Sequence, residues 1–286
     1  SDITGLNSGI ECLVFPPRTI RLGNVRAVSR EDEHERITVL NRLAEGFDGI
    51  VIATVESVMT RIVPKDVFKD CSLTVKLGSS IDLKKIISSL ALMGYSRQDR
   101  AEGPGQFAQR GDILDVFNIV EEYAVRIEMF GNEVDSIRRY DPTTQRSVEE
   151  IKHVTLLPAV ETPLTDIAFE RGCRHLKEDA AKQRKNMSGN KDRNIYSYES
   201  AAKSKNIEKY IDGKIEALLQ TGTFEGIENY IMSFYPITMG IHEYIKSPLI
   251  IMDEPLRLKE RNHALLEEYI AMYSEAYPTN TLLNNQ

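Results

Sequence analysis

The first seventy residues alternate short apolar runs with apolar residues at helical spacing. Residues 11–15, ECLVF, form a run that stops at Pro16-Pro17 and predicts a strand. Ile37, Leu40 and Leu43 predict a helix over 29–44. Ser29 can accept from a free backbone N–H at its start, and Asp32 sits at the capping-box position. Residues 46–49 make a turn. GIVIA at 49–53 predicts a buried strand, and Thr54 opens a short helix through Met59. Strand–helix–strand–helix order favours a mostly parallel sheet.

The pattern changes near Cys71. Residues 72–77 predict a strand. Residues 80–93 predict a helix closed by Gly94, with Ile81, Ile86, Ile87 and Leu90 inward. Then QFAQR, DILDVF, YAVRIEMF, EVDSIRRY and KHVTLL follow, separated by turn residues, as in an antiparallel sheet. Gly131-Asn132 supplies a tight hairpin turn. In YAVRIEMF, Tyr123, Val125, Ile127 and Met129 fall on one face, and Ala124, Arg126, Glu128 and Phe130 on the other. A phenylalanine therefore ends the charged row. From the residues alone it reads as a satellite cluster under the turn.

From Pro163 the pattern turns helical and basic. Residues 171–214 hold about a dozen Lys and Arg. Residues 182–194 lack apolar periodicity and read as a solvated helix end and loop, whereas 207–219 are amphipathic. SPLIIMD at 247–253 predicts an apolar strand. Residues 258–276 predict a charged helix with a stripe of Ala264, Leu265, Tyr269 and Met272.

A chain of 286 residues suits two domains, or one carrying a large insertion. The net charge of −7 argues against a dedicated nucleic-acid binder but leaves a local basic patch open. No apolar run approaches the roughly 20 residues of a membrane span, and no signal peptide is expected. Cys12, Cys71 and Cys173 are few, distant and odd in number, which favours a reducing cytoplasm over a disulfide framework. The chain opens on Ser and reads as a fragment.

Catalytic constellations do not assemble. LIIMDEP resembles the acidic strand end of a nucleotide hydrolase, but the phosphate loop that chemistry needs is absent. The only Gly-Lys pair is Gly213-Lys214, followed by Ile. Asp253 and Glu254 then read as a strand-end turn before Pro255. Gly103-Pro104-Gly105 reads as a loop, no carboxylate pair is isolated, and five scattered histidines support neither a triad nor a metal site.

FAQRGDILDVF, then YAVRIEMFGNEVDSIRRYDPTTQRS, then VTLLPAVE together resemble the module shared by UvrB and the bacterial transcription-repair coupling factors (Mfd). GIENY at 226–230 and LIIMDEP extend the resemblance, in order, from about residue 15 to 255. The chain lacks UvrB's phosphate loop and its aromatic DNA-gripping hairpin. DEP stands where an active motor has DE-S/A-H. It is therefore similar to the UvrB-like N-terminal part of the coupling factors.

That resemblance implies an α/β fold: a degenerate P-loop-helicase-like parallel-sheet domain split by an inserted antiparallel α+β module. Its pieces are 1–70 and 159–256, the UvrA-binding module is 71–158, and 257–286 form a C-terminal helix and linker. It implies a non-catalytic, cytoplasmic role: recruiting UvrA to RNA polymerase stalled at DNA damage. Intramolecular contacts with other Mfd domains would help restrain the motor. No cofactor is expected in this chain; ATP and Mg²⁺, RNA polymerase and DNA are handled by domains outside it. The family's UvrA contacts fall on Arg110, Arg126 and Phe130, with Arg138, Arg139 and Arg146 as a candidate positive rim. Without the family, Arg110 reads as a surface arginine paired with Asp112 or Asp115. Two rival readings remain at this point: a DNA-binding module using 171–214, and a UvrB-type ATP-dependent helicase fragment.

Overall fold

The computed structural model describes residues 10–18, 30–189 and 197–276. Its first part is α/β. β1 (Cys12–Phe15) and β2 (Ile50–Ala53) pair in parallel, with Val14 opposite Ile52 and Phe15 opposite Ala53. Between them α1 (Arg30–Glu45) buries Ile37, Leu40 and Leu43 at the spacing that predicted it. Thr54 caps α2 (Val55–Met59), its hydroxyl accepting from the Ser57 N–H. α3 (Lys65–Asp70), which follows Pro64, carries no helical signal long enough to be read from sequence.

Next come β3 (Leu73–Lys76) and α4 (Leu83–Leu92), and then a six-stranded sheet. Its strands are β4 (Ser96–Arg97), β5 (Gln106–Arg110), β6 (Ile113–Phe117), β7 (Ala124–Phe130), β8 (Glu133–Tyr140) and β9 (Ser147–Glu150), in spatial order β4-β5-β6-β7-β8-β9. The β4–β5 pair is parallel and all the others are antiparallel. β10 (His153–Leu156) returns antiparallel to β3. The fold is thus mixed α/β with parallel and antiparallel pairing.

α4 starts later than periodicity suggests. The backbone of 78–81 is committed to the β7–β8 hairpin: Ile81 N–H donates to Asn132 O (2.8 Å), Val134 N–H to Ser79 O (3.0 Å) and Gly78 N–H to Val134 O (2.8 Å). Asp82, the next free residue, caps the helix through the Lys84 N–H (2.9 Å). Gly131 carries φ 63° at the first turn position, and no other turn residue needs positive φ. Register slips once in β8, where Glu128 faces Ser136 but Met129 faces Val134, leaving Asp135 as a bulge. Val125, Ile127 and Met129 join Leu114, Val116, Val134 and Ile137 in one core with Ile86 and Leu90. On the opposite sheet face, Ala101, Phe117, Ala124 and Tyr140 form a second, small cluster.

The third part is helical: α5 (Asp166–Gly189), α6 (Ser197–Thr221), α7 (Ile231–Phe234) and α8 (Pro255–Ala276), with one-turn 3₁₀ segments at Ile227–Tyr230 and Ile241–Tyr244. The segment that leads from β10 into it is tied to α1 by a buried ion cluster at Glu161. Arg36, 1% exposed, donates to both Glu161 oxygens (2.7 and 2.8 Å) and to Pro16 O, while its guanidinium lies 3.9 Å over the Phe15 ring. Arg18 adds a third bond to Glu161 (2.7 Å). Burial alone would raise the Glu161 carboxyl; the two guanidiniums override it and hold the group at about 2.

One expected element does not form. Residues 247–253 are not a strand: Leu249, Ile250, Ile251 and Met252 stand 88, 62, 83 and 66% exposed. Positive φ at Ser247 (54°) and Glu254 (48°) brackets the segment, and no described strand lies against it to complete a ladder. Asp253 and Glu254 are consequently not a strand end. They lead into α8, whose first residue is Pro255, as helix starts favour. Cys12, Cys71 and Cys173 are all unpaired thiols. Among the described residues no helix is long and apolar enough to cross a membrane.

Candidate functional site

Antiparallel register aligns side chains in rows across the outer sheet face. One row is Ala108, Asp115, Arg126, Arg138 and Glu150; the next is Arg110, Ile113, Glu128 and Ser136; Phe130 and Glu133 close the hairpin tip. Arg110, Arg126 and Phe130 therefore share one face; the alternation of β7 predicts this for Arg126 and Phe130, and cross-strand register adds Arg110.

Their environments differ sharply. Phe130 is 81% exposed, so it caps no satellite cluster. A bare apolar side chain alone is ordinary on a folded surface; it marks a contact site when apolar neighbours and a polar rim extend it into a patch. Ile113, 38% exposed, lies one row away. Sequence reading missed it, although the alternation of DILDVF places it on the same face as Asp115. Arg110 is 56% exposed and stands 4.0 Å from Asp115 Oδ2, beyond hydrogen-bond reach. Its guanidinium is available to a partner.

Arg126 is largely committed within the fold. Its Nε donates to Asp115 Oδ1 (2.7 Å) and its Nη2 to Oδ2 (2.9 Å), a bidentate pair with a carboxylate only 4% exposed. Nη2 also reaches Gln145 Oε1 (3.2 Å), and the guanidinium lies 4.6 Å over the Tyr140 ring. The bond to Asp115 raises the Arg126 pKa further. Burial, with the Asp115 charge added, pushes the Tyr140 phenol up to about 12. Gln145 adopts φ 60° in a turn where Asp141 accepts from the Thr143 and Thr144 N–H groups. Arg126, 23% exposed, is thus mainly the floor of the surface.

The candidate rim divides. Arg138 is on this face but is neutralised by Glu128 (2.7 Å). Arg139 pairs with Val125 and points to the other face, where Glu149 (2.5 Å) and Glu121 (3.5 Å) hold it. The bulge at Asp135 is the cause: counting by twos from the turn puts Arg139 beside Phe130, and the extra residue inverts that parity. Arg146 is exposed and has no ion pair among the described residues. Asp253 and Glu254 lie exposed ahead of α8, Glu254 pairing with Arg257 (2.8 Å).

The basic stretch 171–214 is the α5–α6 pair, and several of its cations serve the fold. Arg171 donates to the Met232 and Ser233 carbonyls. Arg184 pairs with Glu208 (2.9 Å), and the Lys214 ammonium sits 4.6–5.3 Å from the Phe224, Tyr210 and Tyr230 ring centres. Lys191 and Arg193 lie outside the described residues. An aromatic and an aliphatic residue beside an exposed guanidinium on a rigid sheet suit protein docking; nothing on this face pairs a nucleophile with a base.

Residues 73–161 match the model of the UvrB interaction domain. Over 268 residues, 93% of the chain, the sequence is 28% identical to the transcription-repair-coupling factor of Bacillus subtilis (strain 168). Over 278 residues, 95% of the chain, it is 28% identical to the transcription-repair-coupling factor of Staphylococcus aureus (strain Mu50 / ATCC 700699). The chain spans about 22% of the length of each of these relatives.

Proposed function

We infer, from a chain that is similar to the transcription-repair-coupling factors and whose residues 73–161 match the UvrB interaction domain, that it is a non-catalytic docking module for the excision-repair protein UvrA. The observation that carries this reading is Phe130, 81% exposed at the tip of the β7–β8 hairpin. Phe130 buries its ring in the partner, Ile113 widens the apolar contact, and Arg110 donates charge-assisted hydrogen bonds to acidic or carbonyl groups. Arg126 acts mainly from beneath, fixing the sheet surface on which they stand. In the longer polypeptide this contact brings UvrA to RNA polymerase stalled at damaged DNA, in the cytoplasm.

The flanking segments, 1–70 and 159–256, form the two pieces of a helicase-like domain that has lost its phosphate loop. Contacts of this region with neighbouring domains restrain the motor, and the ATP and Mg²⁺ chemistry belongs to those other domains. The test is a UvrA binding titration with wild type, Phe130→Ala and Arg110→Ala. Truncation of a central anchor at such a contact costs about 2 kcal/mol or more, roughly thirtyfold in Kd. Phe130→Ala should lose at least that much with its melting temperature unchanged. Wild-type affinity in both variants would move the site elsewhere.

A further inference from the structure

A cavity of about 500 Å³ lies where the three parts of the fold meet. Pockets of roughly 300–1,000 Å³ are the size that holds small molecules. Its wall comes from the chain just after β1, the first turns of α1, the stretches 94–96 and 104–105, the 159–162 segment and the turn at 223–228. The charges on that wall are unequal. Asp32, Glu33, Glu161, Glu225 and Glu228 line it against Arg18 and Arg36, an excess of three negative charges with His34 neutral. The guanidiniums are already engaged: Arg36 spends its three nitrogens on Glu161 and Pro16 O, and Arg18 bonds the same carboxylate. The other four carboxylates therefore set the sign of the cavity. Asp32, Glu33 and Glu225 are exposed and Glu228 is half-buried. Asp32 and Glu228 form no ion pair among the described residues, and Glu228 acts on Arg18 and Lys214 only at longer range.

A second observation points to a ligand. Thr162 lines the cavity and is 1% exposed, and its hydroxyl has no hydrogen-bond partner; Arg18 Nε is likewise buried and unpartnered. Buried polar groups are nearly always satisfied, and each exception calls for an explanation. A ligand N–H entering the cavity supplies the donor that the Thr162 oxygen lacks. The remaining wall includes apolar side chains, Phe224, Ile227, Ala159 and Val160. Among the described residues no three metal-ligating side chains converge on one point. The carboxylates are dispersed, half on α1 and half on the 223–228 turn, which suits a cation whose own charges are spaced along a chain.

We propose that this cavity binds a linear polyamine. Its ammonium groups pair with Asp32 on α1 and Glu228 on the turn, with Glu33 and Glu225 adding to the negative field. One ammonium donates to Thr162 Oγ1, and the methylene runs lie on Phe224, Ile227 and Val160 as the stems of long cationic side chains do. A compact single cation would leave one side of the cavity unpaired, and a phosphate or carboxylate ligand would be repelled. Bound polyamine ties α1 to the 223–228 turn. The inference does not depend on whether the Phe130 surface binds UvrA.

The experiment is isothermal titration of this chain with spermidine and, at matched ionic strength, with Mg²⁺. Saturable one-to-one binding of spermidine is expected, about tenfold tighter than Mg²⁺, which needs convergent octahedral ligands. Asp32→Asn and Glu228→Gln should each weaken it about fivefold, the upper end for an exposed ion pair, and Thr162→Val by a similar factor. Melting of the unliganded variants should stay near wild type, because two of the positions are surface carboxylates without an ion pair and the third is an unbonded hydroxyl. Glu260→Gln, on an exposed stretch of α8 outside the cavity, should bind spermidine like wild type. Heat that does not saturate, equal affinity for Mg²⁺, or a loss in Glu260→Gln as large as in Glu228→Gln means diffuse attraction to an acidic chain and overturns the proposal. Wild-type affinity in all three cavity variants overturns it too.

Discussion

Arg126→Ala should destabilise the central sheet before it says anything about binding. The substitution removes two charge-assisted bonds to Asp115, whose carboxylate is 4% exposed, and the stacking over Tyr140. Breaking a buried pair from one side costs about 3–5 kcal/mol, because the remaining charge has no partner. Two features lower the figure here. Arg126 is 23% exposed, so water enters the vacated space, and Arg110 at 4.0 Å can swing toward Asp115. About 2–3 kcal/mol remains, including about 0.5–1 kcal/mol from the ring contact. For a chain of this size that is a fall in Tm of roughly 4–10 °C.

Differential scanning calorimetry of wild type, Arg126→Ala, Asp115→Asn and the double variant provides the assay. The double variant should melt above the sum of the single losses, with a coupling of at least about 1 kcal/mol, because removing both charges leaves nothing stranded. If Arg126→Ala melts within a degree of wild type, or the losses simply add, the pair is not holding the sheet. Arg126 would then be an ordinary surface contact. On the present geometry, UvrA binding lost in Arg126→Ala mixes a lost contact with a disturbed scaffold; loss in Phe130→Ala does not.

Two further outcomes follow from the core. Glu161 has a folded pKa near 2 against an ordinary 4.5, so its stabilisation is complete above about pH 4.5 and is lost as pH falls toward 2. That is worth about 3 kcal/mol; acid titration of urea midpoints should show it, and Glu161→Gln should flatten the slope in that window, an unchanged slope refuting the assignment. Gly222→Ala should cost over 3 kcal/mol, since its φ is 76° and a Cβ would stand 2.3 Å from the Ala91 backbone; Gly131→Ala, at φ 63° with open space around it, should cost about 1 kcal/mol. Equal losses in chemical denaturation would show that φ alone, and not the close approach, matters.

Periodicity was enough to find the amphipathic core of α1, the β5–β8 meander and the face shared by Arg126 and Phe130, because each is a local pattern repeated over several residues; Arg110 joined them only through the family resemblance. It failed where the answer is non-local. The LIIM run is as apolar as any strand here, but pairing depends on a neighbour, and sequence does not announce one. β9, SVEE, is exposed along its length and has no apolar face to detect. The Asp115 partner of Arg126 is fixed by cross-strand register, and one bulged residue moves Arg139 to the wrong side. Phe130 shows a different limit: the alternation gave its face but not its exposure, which depends on nothing else folding over the turn.

The clamp of residues 78–81 on the β7–β8 turn has a thermodynamic consequence. Three backbone hydrogen bonds, two of which make the Ser80–Glu133 bridge, splint the hairpin tip against the start of α4. A free two-stranded tip would have to be frozen on contact, and that ordering would subtract from the affinity. The splint removes the flexibility during folding, so a partner docking on Phe130 as proposed would meet a finger that is already stiff. In that docking, most of the ring's desolvation free energy would be left for recognition.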